Sequence, residues 1–238
     1  MNVLLQDCAP RLLAFARLPA DGPRASKLEV ETLNRTGLVS TRFDAALAYA
    51  LDAHDEQLRK GTHVPYAAHL LSVVGLVLED GGSEEEAVEA LFHDVVEDQG
   101  GLPRLADVRE RFGDRIADVV AECSGDDKST GLPWAERKQR YLNHVVTSSD
   151  AALRVSLADK LHNARSILTD YREQGDQLWS RFNAPEPKGE NTLWLYESLG
   201  AAYQRRLDGR SSRLLDELSL TVRELRTLVD AAGVNRGS

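Results

Sequence analysis

Between Thr41 and the C-terminus, apolar residues recur at three- and four-residue intervals, and no segment shows a convincing run of strict apolar–polar alternation. This spacing places side chains on one face of an α-helix, whereas a half-buried strand requires alternation. Glycine pairs at 81–82 and 100–101 divide the pattern into separate segments. The sequence therefore predicts an all-α bundle with almost no sheet.

The breaks in this pattern predict the order of the helices. Thr41 has the chemistry of an N-cap, and the first helix is expected to run to Gly61. Pro65 opens the second helix, which continues to the glycine pair at 81–82. Ser83 begins a capping box, and the third helix is expected to continue unbroken to about position 99. Further helices are predicted at 104–112, 114–122, 134–147, from 150 onward, 191–206 and 212–231, with a loop at 124–133 and a mostly irregular connection at 172–190.

Length and composition limit the classes of function. The chain has 238 residues, of which 42% are apolar, enough for one sizeable helical domain with an appended piece. We expect a peripheral segment at 1–40, a core at 41–170 and a C-terminal helical extension at 171–238 that packs on the core. The net charge of -9 argues against a nucleic-acid polymer as partner, so a phosphorylated substrate needs a local basic pocket. Two isolated cysteines and no long apolar run favour a cytoplasmic protein that does not engage a membrane.

Metal-binding side chains are concentrated at three places: His69, the adjacent pair His93-Asp94, and Asp159. Imidazole and carboxylate groups together form the ligand set of Mn, Fe, Zn and similar ions. Adjacent helical residues diverge by about 100°, so His93 and Asp94 can grip an ion placed between their directions. His69 and Asp159 would reach the same ion from two other helices. Four protein ligands leave positions for water and a phosphate oxygen, as a catalytic site requires.

Two further carboxylates follow the pair. Glu97 lies four residues after His93, and Asp98 lies four after Asp94, so both are expected on the helical face of the ligands. One carboxylate can take a proton from water, and a second can protonate a leaving group.

Each of these residues alone also has a purely structural explanation. Glu97 and Asp98 could be surface charges at a helix end, and Asp159 could pair with Lys160 on the surface. His54 lies on the apolar face of the first predicted helix, and we expect it to be a core residue rather than a ligand. Taken together and in this order, the residues are better explained by a metal site.

The motifs resemble a known family. The segments AHDEQLRKGTHVPYAAH, ALFHDVVED, RFGDRIADVV and SLADKLHNAR are similar to the HD hydrolase domain of RelA/SpoT-type enzymes and of small alarmone hydrolases, over roughly residues 45–166. The resemblance implies an HD-domain helical bundle, extended here by extra C-terminal helices. It also implies removal of the 3′-pyrophosphate from ppGpp or pppGpp, which gives GDP or GTP and pyrophosphate.

The same resemblance implies roles for particular residues. One ion, typically Mn²⁺, would be held by the four ligand candidates already named, with Glu97 and Asp98 acting on water and on the leaving group. A guanosine nucleotide would be bound by the residues that match the family's pocket, which are Arg59, Lys60, Asn163, Arg165 and, as candidate for a nucleotide-contacting tyrosine, Tyr196.

The chain also departs from the family, and other interpretations stay open. Gln99 stands where the family commonly has threonine, and the roughly 70 residues after the core are too few for a synthetase domain. The same chemistry on ppApp or NADPH would use the same metal centre. An antitoxin-like regulator of an alarmone synthetase is a further alternative, although its likeliest signature, loss of a ligand or of the acidic pair, is absent. The sequence leaves the oligomeric state open.

Overall fold

The computed structural model describes residues 40–124 and 131–234. The predicted peripheral segment lies outside this range except for Ser40, as does most of the loop predicted at 124–133. Within the described residues there is no β-strand, and one isolated antiparallel bridge pairs Leu58 with Pro65. The predicted all-α class is therefore confirmed. No helix in the described part is long and apolar enough to cross a membrane.

The described helices follow one another in the order that the glycine and proline breaks predict. They are α1 (Thr41–Ala53), α2 (Ala67–Glu79), α3 (Glu84–Phe92), α4 (Val95–Asp98), α5 (Gly101–Phe112), α6 (Asp114–Cys123), α7 (Trp134–Thr147), α8 (Asp150–Gln174), a 3-10 helix (Gly175–Arg181), α9 (Lys188–Leu207) and α10 (Arg213–Val234).

Local hydrogen bonds explain where several helices begin. Ser83 and Glu86 form the predicted capping box at the start of α3, each side chain bonded to the backbone of the other. Ser149 caps α8, because its side chain accepts a hydrogen bond from the backbone N of Ala152. Ser40, one residue before the predicted cap, does the same for α1.

The first helix is shorter than predicted, because α1 ends at Ala53. Residues 54–66 instead form a turn that is closed by two backbone hydrogen bonds, Arg59 N to Val64 O and Tyr66 N to Gln57 O, each 2.8 Å long. Gly61 sits in this turn with φ of +72°, a conformation that suits glycine. A Cβ there would lie 2.6 Å from Cδ of Arg181, so the turn packs closely against the 3-10 helix.

The third predicted helix is interrupted at the His-Asp pair. α3 ends at Phe92 and α4 starts at Val95. Asp94 has φ of -105° and ψ of -3°, values close to the bridge region rather than the α-helix. Because of this interruption, His93 and Asp94 lie before α4, whereas Glu97 and Asp98 lie within it.

α8 is the central helix of the bundle. α2, α3, α6, α9 and α10 all pack against it. Its inward side carries fully buried apolar residues such as Leu157 and Leu161, and burying such a side chain contributes about 1.5–3 kcal/mol. Asp159 lies between these two leucines and is only 4% exposed. A carboxylate at such a position needs compensating partners, and these partners define the site described next.

Candidate active site

The structure brings His69, His93, Asp94 and Asp159 together, with one ligand atom of each residue within 4.8 Å of the others. Nε2 of His69 lies 3.1 Å from Nε2 of His93 and 3.3 Å from Oδ1 of Asp159. Nε2 of His93 lies 2.9 Å from Oδ2 of Asp94. His69 comes from α2, the pair from the break between α3 and α4, and Asp159 from the middle of α8. We call this group the ligand cluster.

The imidazole rings of the ligand cluster are held in one orientation. Nδ1 of His93 donates to the carbonyl of Ala90 at 2.8 Å, which leaves the lone pair of Nε2 directed at the cluster. Nδ1 of His69 lies 2.8 Å from Nδ1 of His162, so its Nε2 also faces inward. Two imidazole nitrogens and two carboxylate oxygens are a donor set that suits a divalent first-row ion.

The charges of the ligand cluster also fit a divalent cation. Burial by itself would raise the pKa of Asp159, but the Lys160 ammonium and hydrogen bonds from the two histidines hold that pKa well below its usual value. Burial would lower the pKa of His93, but the two cluster carboxylates raise it well above its usual value. The two carboxylates therefore place negative charge where a divalent cation would bind.

The structural alternative for Asp159 is an ion pair on the surface, and its pair with Lys160 is present but largely buried. Nζ of Lys160 donates to Oδ2 of Asp159, and Nδ2 of Asn163 donates to Oδ1, both at 2.5 Å. Tyr66 supports the other carboxylate, because its hydroxyl donates to Oδ2 of Asp94. These three side chains orient the carboxylates of the ligand cluster.

Two cavities meet at the ligand cluster. The α7 cavity has a volume of about 360 Å³ and is lined by Trp134, Arg137, Lys138, Tyr141 and Lys160 among others. The loop cavity, of about 600 Å³, lies against the turn 54–66 and the 3-10 helix. The side chains common to both walls are Tyr66, Asp98, Asn163, Phe182, Asn183 and Tyr196.

Glu97 and Asp98 lie in α4 at the rim of this double cleft. Glu97 lines the α7 cavity, as do His93 and Asp94, and Asp98 lines both cavities. Both acidic side chains are exposed, in contrast to the buried His69, His93 and Asp159 and the half-buried Asp94. They are therefore accessible to a substrate that lies in the cleft.

Four of the five predicted substrate-binding residues line the cleft. Nη2 of Arg59 donates to Oδ1 of Asn163 at 2.8 Å, so these two form one wall of the loop cavity. Nζ of Lys60 donates to Oδ1 of Asn183 at 2.9 Å on the same side. Tyr196 is buried between the two cavities, where burial raises the pKa of its hydroxyl.

Arg165 is the exception. It lines neither cavity, and its guanidinium instead bonds Glu217 of α10 on an exposed face. The reason is helical geometry. Asn163 follows Asp159 by four residues and shares its face of α8, whereas Arg165 follows by six and points about 120° away from Asp159 around the helix axis. The structure therefore does not bring Arg165 together with the other predicted substrate-binding residues.

The sequence reasoning also missed several residues of the site. Lys160 and His162 lie inside the quoted SLADKLHNAR segment, and Tyr66 lies in the segment before His69, so their positions carried a signal. Asn183 belongs to a stretch with no recognisable motif. His54 is 3% exposed and stacked on Tyr66, as expected of a core residue.

The fold and the ligand cluster define an HD-type protein, and comparison with known families agrees. Residues 46–186 match the HD domain, so the chain belongs to the HD domain family.

Comparison with individual proteins gives more specific information than the family match. The chain is 33% identical over 162 residues to the guanosine-3′,5′-bis(diphosphate) 3′-pyrophosphohydrolase MESH1 of Drosophila melanogaster, covering 64% of this chain and 88% of the relative. It is 36% identical over 132 residues to the protein of the same name from Xenopus tropicalis, covering 52% and 71%. A solved structure of a metazoan ortholog of SpoT that hydrolyses ppGpp superimposes with a TM-score of 0.65 and 26% identity, covering 79% of this chain and 98% of that one.

Proposed function

We propose that this chain is a metal-dependent pyrophosphohydrolase that removes the 3′-pyrophosphate from ppGpp or pppGpp, giving GDP or GTP and pyrophosphate. The observation that carries the proposal is the buried ligand cluster with Asp98 and Glu97 at the rim of the same cleft. The names of the relatives support the substrate class.

His69, His93, Asp94 and Asp159 would hold one divalent ion, for which we propose Mn²⁺. Such an ion, when bound, polarises a phosphoryl oxygen and lowers the pKa of water. Tyr66 and Asn163 keep the two carboxylates in place for this role.

Two protons must move during the reaction. Water attacks the phosphorus attached to the ribose 3′-oxygen, the bond between that phosphorus and the 3′-oxygen breaks, and the water oxygen ends on pyrophosphate. One proton leaves the water and one reaches the 3′-oxygen. Glu97 and Asp98 supply two carboxyl groups at the cleft, one to accept a proton and one to donate a proton.

The substrate is highly anionic, although the chain has a net charge of -9. Basic side chains that line the cleft compensate locally for the negative charge of the substrate. Arg59 and Lys60 line the loop cavity, and Arg137, Lys138 and Lys160 line the α7 cavity. These cations offset the charge that develops on the phosphoryl oxygens. Asn163 and Tyr196, at the junction of the cavities, are placed to contact the nucleoside.

A panel assay tests the proposal. Purified protein with Mn²⁺ is incubated with ppGpp, pppGpp, ppApp, NADPH and GTP, and the products are separated by ion-exchange chromatography. We expect GDP and pyrophosphate from ppGpp and no reaction with GTP, which carries no 3′-pyrophosphate. Comparable phosphate release from GTP would indicate a general nucleotide phosphatase. Preference for ppApp or NADPH would keep the chemistry and change the substrate.

A further inference from the structure

A chain of side-chain hydrogen bonds runs beside the ligand cluster and ends on Asp98. Nε2 of Gln57 donates to Oδ2 of Asp98 at 2.8 Å. Oε1 of Gln57 accepts from Nε2 of Gln99 at 2.5 Å and lies 2.6 Å from Nδ1 of His54. An ionised carboxylate and an amide oxygen can only accept, so Asp98 fixes which way the Gln57 amide points, and Nδ1 of His54 carries the proton.

Packing holds the inner end of this chain. His54 is stacked on the Tyr66 ring with centroids 4.9 Å apart and planes inclined by 18°. The backbone carbonyl of Gln57 accepts from the backbone N of Tyr66 at 2.8 Å. Tyr66 in turn bonds Asp94 of the ligand cluster. Tyr66 therefore supports both the backbone of Gln57 and a carboxylate of the ligand cluster.

Asp98 itself has much less support from its own helix. It is the exposed last residue of α4, which has only four residues. A carboxylate at such a position can occupy several staggered rotamers. Proton transfer requires the carboxylate to lie within about 2.6–3.2 Å of the reacting group. The bond from Gln57 engages one carboxylate oxygen and selects one rotamer, so that the other oxygen can serve a reacting group.

The same hydrogen-bond chain explains why glutamine, rather than the family's threonine, suits position 99 in this chain. Its amide reaches Oε1 of Gln57 from the residue that follows Asp98. Threonine, which the family commonly has at this position, is two bonds shorter and carries no amide. In this chain the second glutamine therefore adds a donor that holds the first.

We propose that Gln57 is a positioning residue for Asp98 and that Gln99 holds the Gln57 amide in the orientation that this requires. The kinetic consequence rests on the proposed function, in which Asp98 transfers a proton. The hydrogen-bond chain does not depend on it.

The kinetic test replaces Gln57 by methionine, which has similar length and no amide. With ppGpp and Mn²⁺ we expect kcat to fall about 10- to 100-fold, because a small displacement of a reacting group has effects of this size, while KM and Mn²⁺ affinity stay unchanged. Gln139→Met is the matched control, since Gln139 is exposed on α7 and its amide also donates to one side chain. A raised KM with unchanged kcat would show that Gln57 contacts substrate instead, and would overturn the proposal.

A double-mutant cycle separates positioning from a general effect on structure. If Gln57 acts through Asp98, Gln57→Met should cost nothing further in an Asp98→Ala background. Losses that simply add would refute the proposal. Gln99→Thr should give a smaller loss than Gln57→Met, and none when Gln57 is already methionine.

A measurement on metal-free protein needs no activity. The side-chain amide signal of Gln57 in a ¹H–¹⁵N spectrum is identified by its disappearance in Gln57→Met. It should shift in Asp98→Ala, a change at an exposed residue, and an unshifted signal would contradict the hydrogen-bond chain. If the signal shifts but wild-type protein leaves ppGpp intact, the proposed function fails and the positioning contact stands.

Discussion

The ligand cluster and the acidic pair Glu97-Asp98 differ in what holds them, although only two residues of sequence separate Asp94 from Glu97. His69, His93 and Asp159 are buried on or beside long helices whose apolar faces form the core. Glu97 and Asp98 are exposed on a one-turn helix, and Asp98 depends on a side chain from the turn 54–66. Under the proposed function, we therefore expect core packing to determine where an ion binds and loop side chains to determine where protons are exchanged. Changes at the two places should have separable effects.

The largest effect is expected at a buried ligand. Asp159→Asn preserves the size of the side chain but removes the charge, so Mn²⁺ affinity should fall by more than about 100-fold, beyond what loss of an outer partner costs. Hydrolysis should be lost with it. Isothermal titration with Mn²⁺ measures this, and circular dichroism checks that the helices remain. Unchanged metal stoichiometry and affinity would remove Asp159 from the ligand set.

At the rim, activity should fall while metal binding persists. Glu97→Gln and Asp98→Asn remove proton transfer and keep the shape, and general acid–base groups contribute about 10²–10⁴-fold. Turnover of ppGpp should drop within that range, with Mn²⁺ affinity close to wild type. If both variants turn over at nearly the wild-type rate, the two carboxylates are surface charges at the end of α4.

Two arginines provide a matched comparison across the cleft boundary. Arg59 bonds Asn163 inside the loop cavity, whereas Arg165 bonds Glu217 on the outer face of α8. Arg59→Ala should raise KM for ppGpp by about 10-fold or more, since a hydrogen bond to a charged group contributes about 1.5–3 kcal/mol. Arg165→Ala should leave KM unchanged, and the loss of an exposed ion pair costs about 0–1 kcal/mol. Equal changes in KM would put Arg165 back among the substrate residues.

The smallest effect on activity is expected at Glu89, a buried carboxyl that has none of the partners of Asp159. Glu89 is 0% exposed, and neither side-chain oxygen has a hydrogen-bond partner among the described residues. Burial, with Glu85 and Glu86 nearby, raises its pKa from the ordinary 4.5 to about 8. The folded state then binds this proton more tightly than the unfolded state, so the free energy of unfolding should fall as pH rises from about 4.5 to about 8.

Glu89→Gln removes that dependence. Urea unfolding of wild type and variant at several pH values should show the wild type losing stability relative to the variant as pH rises, with turnover little changed. Parallel pH profiles for the two proteins would show that Glu89 is not protonated in the folded state.

Much of the fold could be predicted, because its signals are local. The capping box at Ser83 and the bounds of α7 follow from hydrogen-bonding residues and apolar spacing within a few positions. The ligand candidates could also be named, since a charge such as Asp159 within an apolar helix requires partners. The early end of α1 and the break at Asp94 could not be predicted. Both involve contacts with residues that are distant in sequence, such as Arg181 and Tyr66.

The rest of the cleft was less predictable for a related reason. Arg165 lies in the same motif as Asn163, which predicts a place in the cleft. Its side chain points to a different side of α8 and bonds Glu217 instead. In the sequence alone, nothing indicates a chemical role for Gln57 or Gln99. Their importance comes from a chain of contacts that forms only after the turn 54–66 and α4 meet.

The central position of α8 bears on how such a protein can diverge. One helix carries Asp159 and Asn163 on one face and packs against α2, α3, α6, α9 and α10. Most substitutions in α8 should therefore change both the stability of the fold and the chemistry of the site, so few of them should be tolerated. The turn 54–66, the start of α7 and the stretch after the 3-10 helix line the cleft without supporting the core to the same degree. New substrate preferences should accordingly arise in these three segments, while α8 stays nearly constant among descendants of a common ancestor.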